Sequence, residues 1–171
     1  MKSLLLLALF LGLTAASAVA QQKLEIVTGK AFDSALPKDF YLEGNAIPTA
    51  KRNAVMVKTP AGARAVFSLL DTTGYASNII EKYAGMVITE GDLSLCGQKL
   101  ATGSYGFGWT QSPRAEDKPG TLSLYNQAGT KLGECSTPRD ADIKTPRPLQ
   151  VVVKADGTAT LYHGRNSAAL Q

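Results

Sequence analysis

Short runs of alternating or wholly apolar residues, each closed by a turn cue, recur along most of the chain and leave little room for anything but strands. Residues 24–28, 40–43, 54–58, 63–70, 85–89, 93–96, 103–110, 121–126, 131–135, 150–154 and 158–163 have this character. The cues between them are specific. Thr59-Pro60-Ala61-Gly62, Gln127-Ala128-Gly129-Thr130 and Ala155-Asp156-Gly157 each join two runs as a hairpin would. About ten short strands at this spacing predict an all-β domain, a single β-sandwich or a barrel-like fold.

One segment breaks the alternation. Tyr75, Ile79 and Tyr83 recur every four residues, with Ala76 and Ile80 beside them, which predicts one short helix near 75–83. Asp71 or a neighbouring threonine is placed to cap it. The helix is expected to cover one open end of the sheets. Residues 111–120 and 137–148 are charged and proline-rich, so both are expected to be irregular and exposed.

The strand Gly103-Ser104-Tyr105-Gly106-Phe107-Gly108-Trp109-Thr110 sets three aromatics on one face and only small residues on the other. The small face cannot supply a core, so the aromatic face is expected to be buried, with Trp109 the most exposed of the three. The glycines leave room for another backbone, or for a flat ligand, on the opposite face. A sugar-stacking platform is the alternative reading of the stripe.

The first residues have a different character. Lys2 precedes an apolar run at 4–13, and Ala18-Val19-Ala20 is an A-x-A cleavage signal. Residues 1–20 are therefore expected to be a signal peptide, leaving 21–171 as the domain; an uncleaved anchor is the alternative. No cysteine stands at the cut, so no lipid anchor is expected, and no later run is long enough to span a bilayer. In an exported protein the two cysteines, Cys96 and Cys135, are expected to form one disulfide, free buried thiols being the alternative.

Motifs for chemistry are sparse. His163 is the single histidine, no G-x-S-x-G elbow occurs, and a Cys/His zinc site lacks ligands. Glu43, Asp71, Glu81, Glu90, Asp92 and Glu134 give no pairing that would mark a glycosidase cleft. Asp140 and Asp142 lack the remaining positions of a calcium loop. No phosphate-binding glycine spacing precedes a helix. No catalytic residue, metal or cofactor is expected. The net charge of +4 is mild and the basic residues are scattered, so nucleic acid is not an expected partner.

The stretch 41–53 carries an aromatic, two asparagines, a proline and adjacent Lys51 and Arg52, with a turn at Gly44-Asn45. Read as a loop, it can bind an anionic or sugar ligand. Tyr41, Asn45, Lys51, Arg52 and Trp109 are the candidate ligand-binding residues; a plain connecting loop is the alternative.

Gly97, Leu100, Gly103 and Tyr105 form the pattern G-x-x-L-x-x-G-x-Y. It resembles a turn-then-strand motif of exported bacterial β-sandwich domains of uncharacterised function, although Ala101-Thr102 stands where that motif commonly has Pro-Ala. The resemblance covers 97–105. It implies a hairpin within a sandwich and transfers no active site. The resulting expectation is a periplasmic or secreted binding module acting on an envelope or extracellular ligand. A small secreted hydrolase using carboxylates, and an inhibitor presenting the 137–148 loop, are the alternatives.

Overall fold

The structure is a computed structural model that describes residues 23–110 and 118–171. The expected signal peptide and most of the expected loop at 111–120 lie outside the described residues.

Two antiparallel sheets form the body. The larger has eight strands. Its main path starts at β1 (Glu25–Val27) and runs through β3 (Asn45–Lys58), β4 (Arg64–Leu70), β5 (Gly85–Thr89), β8 (Gly103–Thr110) and β9 (Gly120–Asn126) to β10 (Lys131–Thr137). β2 (Asp39–Leu42) pairs with the first part of β3 as a hairpin. The smaller sheet runs from β11 (Arg147–Val153) through β12 (Ala159–Gly164), β13 (Asn166–Leu170) and β6 (Leu93–Leu95) to β7 (Gln98–Leu100). This is the expected all-β, sandwich-like domain, with two short helices among the described residues rather than one: α1 (Lys30–Ala35) and α2 (Ser77–Lys82).

The main core lies between the sheets. Phe67, Val87, Phe107, Trp109, Leu122 and Leu124 of the large sheet meet Leu95, Leu149, Leu161 and Leu170 of the small one. A second cluster covers the other face of the large sheet. There Phe40, Leu42 and Ile47 of the β2–β3 hairpin join Ile79 and Tyr83 against Met56, Val66 and Met86. The middle strands are thus buried on both sides, which explains why Ala65-Val66-Phe67 reads as a continuous apolar run rather than an alternating one.

The aromatic stripe is core. Phe107 is fully buried and Trp109 is 9% exposed; half-buried Tyr105, not Trp109, is the most exposed of the three. The glycine face receives a backbone. Tyr83 packs over Gly106, and the Lys82 carbonyl lies so close to Gly108 that any Cβ there would collide with it. Helix α2 therefore caps the outer face of the large sheet, not an end of the sandwich. Ala76 stands at its N-cap, while Asp71 accepts a hydrogen bond from the Thr73 amide in the preceding turn.

Other corrections follow from turn chemistry. Residues 45–53 are strand, because the turn falls at Glu43-Gly44 (φ 49° and 78°) and Asn45 already pairs with Leu42. The two positive φ values match a two-residue hairpin of the type that favours glycine at its second position. Cys96-Gly97 (φ 56° and 77°) makes the same turn between β6 and β7. Of the expected 137–148 loop, Thr137 ends β10 and is buried, and Arg147-Pro148 open β11. The segment between them lies along the β12–β13 hairpin. Tyr162 donates to Asp140 at 2.7 Å, Arg165 donates to the Ile143 carbonyl at 2.6 Å, and the Ser167 amide donates to the Pro138 carbonyl.

Candidate functional site

A sandwich has two seams where the edges of its sheets approach, and here they differ. On the β10 side the seam is stapled. Cys96 and Cys135 form the expected disulfide, with Cα atoms 6.1 Å apart, tying the β6–β7 turn to β10. Buried Trp109 Nε1 donates to Thr137 Oγ1 at 3.1 Å, and Arg139 bridges to Asn166. On the other side β11 lies against β1 and β3. Among the described residues no disulfide and no strand pairing joins these elements.

The open seam holds a groove of about 320 Å³. Its walls are apolar: Ile26, Val27 and Phe32 from β1 and α1, Val55 from β3, and Leu149 and Val151 from β11. Its polar groups are Thr28, Arg52, Asn53, Arg147 and Gln150. Local structure explains the arginine from β3. The pairing of β3 with β4 shifts register between Thr49 and Ala54, so Arg52 and Asn53 sit in an irregular stretch that can turn side chains out of the sheet. A second register shift, between Arg147 and Gln150, lies opposite on β11.

Both guanidinium groups are chemically available. Among the described residues, the ion pairs engage Lys51 with Asp33, Arg64 with Glu90, Lys82 with Glu43 and Lys131 with Glu134. None engages Arg52 or Arg147, and among the described residues no carboxylate, histidine or serine lines the groove. Two arginines beside an apolar wall, with no acid among the described residues to neutralise them, suit an anion attached to an apolar body.

The five candidate residues do not converge. Tyr41 is 60% exposed on the β2–β3 hairpin, and Asn45 donates to the Glu43 carbonyl within that hairpin's turn. Lys51 bonds Asp33 of α1 at 2.8 Å. Trp109 is inside the core, its ring stacked on His163 with centroids 5.5 Å apart. Only Arg52 reaches the groove. Arg147, Asn53 and Gln150 were not legible as site residues; Arg147, between two prolines, reads from sequence as part of an irregular loop.

Other polar clusters are internally satisfied. Glu43 accepts from Lys82 at 2.5 Å and from Tyr83 at 2.6 Å, and Lys82 also donates to the Gly129 carbonyl. These bonds hold the Glu43 carboxyl below its usual range, while burial and the neighbouring Glu43 push the Tyr83 phenol up. The cluster ties the β2–β3 turn, the end of α2 and the β9–β10 turn together. A cavity of about 400 Å³ near Pro60 and Leu170 includes Asp156, whose carboxylate already bonds Thr158. Burial lowers the pKa of His163.

Comparison with protein-family models, curated proteins and solved structures finds no match to this chain.

Proposed function

We propose that this chain is an exported binding module of a bacterial envelope. Its ligand is an anion with an apolar body, held in the groove between β1, β3 and β11. The observation that carries this reading is the open seam itself: Arg52 and Arg147, without carboxylate partners among the described residues, stand beside Val55, Leu149 and Val151. Concave, mostly apolar sites with a few polar groups to orient a ligand are the usual form of small binding sites. A lining that has no acid, histidine or serine among the described residues favours binding over hydrolysis. Export is supported by Lys2, the apolar run and Ala18-Val19-Ala20, and by the disulfide, which persists in oxidising compartments.

The test is a thermal-shift series with aliphatic and aromatic carboxylates and phosphate monoesters, set against amines of the same size. Anions should raise the melting temperature of the wild type, amines should not, and Arg52→Ser/Arg147→Ser should abolish the response. A ligand at a hundred times its Kd adds about 2.7 kcal/mol. Equal responses in wild type and double variant would remove the groove from consideration. Intact mass of the exported protein should correspond to a chain beginning at Gln21.

A further inference from the structure

We infer that the ligand of this groove is an extended peptide segment that adds to β11 as an antiparallel strand, with its C-terminal carboxylate between Arg147 and Arg52. The inference rests on the groove being the binding site and concerns what it takes.

The sheets end in five strands, counting β2 beside β3, and four are poor templates; β2 has four residues and carries Asp39. β1 and β7 have three residues each and carry Glu25 and Lys99. β10 is longer, but Lys131 and Glu134 put charges along it. Short length and charge are among the ordinary ways in which an edge is protected from further pairing. β11 is the exception. Its register shift is confined to its start, between Arg147 and Gln150; from there Gln150-Val151-Val152-Val153 runs in regular register without a charge, and β11 ends the small sheet.

The pairing of β11 with β12 fixes which backbone groups are spare. The Lys154 amide donates to the Thr158 carbonyl. Bonded and non-bonded pairs alternate in an antiparallel ladder, so Val152↔Thr160 and Gln150↔Tyr162 are bonded pairs. The N–H and C=O groups of Val151 and Val153 then point away from β12, to the side where no strand pairs. Val151 also lines the groove. A strand accepted there gains main-chain bonds from these groups and places alternate side chains against the apolar wall.

Charge sets the direction. Arg147 stands at the start of β11, and Arg52 lines the same groove. An antiparallel strand on β11 ends beside Arg147, which brings a terminal carboxylate to two donors suited to bidentate bonding. A parallel strand would bring an ammonium group there instead.

The experiment titrates the full exported chain with a synthetic hexapeptide of alternating threonine and valine bearing a free C-terminal carboxylate. Its controls are the C-terminal amide, the peptide N-methylated at the amides facing β11, and decanoate. The free acid should bind at least tenfold more tightly than the amide and the N-methylated peptide, and the Val151 and Val153 amides should gain protection from exchange. Val153→Pro removes one outward donor without touching the β12 pairing, and should weaken peptide binding tenfold while leaving the fold intact. If that variant fails to fold, the N-methylated peptide still decides. Decanoate binding that depends on the arginines, without preference for the peptide, would overturn strand addition and leave the groove standing. If no probe binds, both readings fall.

Discussion

Gly106 and Gly108 show how much a missing side chain can decide. Tyr83 and the Lys82 carbonyl rest on them, so α2 is seated by what β8 lacks. Gly108→Ala forces the Lys82 backbone outward and should cost about 1–3 kcal/mol in urea denaturation, the range of overpacking. Phe107→Ala, on the opposite face, should cost about 3–5 kcal/mol through the cavity it leaves. His163 acts differently. Half-buried against Trp109, it has a pKa lowered by burial, so the unfolded chain takes up its proton at higher pH than the folded one. Its contribution is complete above its ordinary value of about 6.5 and is lost as pH falls below it. Glu43 and Asp140 also have lowered values, but as carboxylates their loss begins only below their own ordinary range near 4. The stability of the wild type should therefore fall between pH 7 and 5, and His163→Phe should flatten that part of the profile. An unchanged slope in the variant would show that His163 is not the titrating group.

At the scale of elements, the disulfide holds a hairpin turn to a strand across the sandwich. In the chain-entropy model, closing a loop of about 40 residues is worth about 4 kcal/mol. Cys96→Ser/Cys135→Ser should lower the unfolding free energy by about that amount, measured by chemical denaturation. This pairing, most strands and α2 were legible because each has a sequence signal: expected export with two cysteines, period-two alternation, and Tyr75, Ile79 and Tyr83 at period four. β13 was not. Its Asn166-Ser167-Ala168-Ala169-Leu170 lacks β-branched residues and is strand because β12 and β6 flank it. Helix α1 has only six residues, and its signal is the spacing of Phe32 and Leu36 before Pro37. The 41–53 stretch was obscured by Gly44, Asn45 and Pro48, turn residues that here serve a hairpin folded onto the outer face of the sheet. The groove had no local signal, because Arg52 and Arg147 lie on different sheets and meet only through topology.

At the scale of the molecule, that topology produces an imbalance between the two seams. The β10 side carries the disulfide, the Trp109–Thr137 bond and the Arg139–Asn166 bridge. The β11 side relies on apolar contact between Leu149, Val151 and the walls of β1 and β3, with a groove where further packing would be. Local openings draw on the least stabilised part of a fold, and binding sites tend to lie there. Native-state hydrogen exchange should reflect this. The amides of Gln150 and Val152, bonded to β12, should exchange through an opening of lower free energy than those of β5 and β8, which lie in the middle of the large sheet. Adding a ligand that binds the groove should raise protection at Gln150 and Val152 and leave β8 unchanged. Exchange of β11 at the same free energy as β8 would mean that the two seams open together, and that the unstapled side is no more yielding than the stapled one.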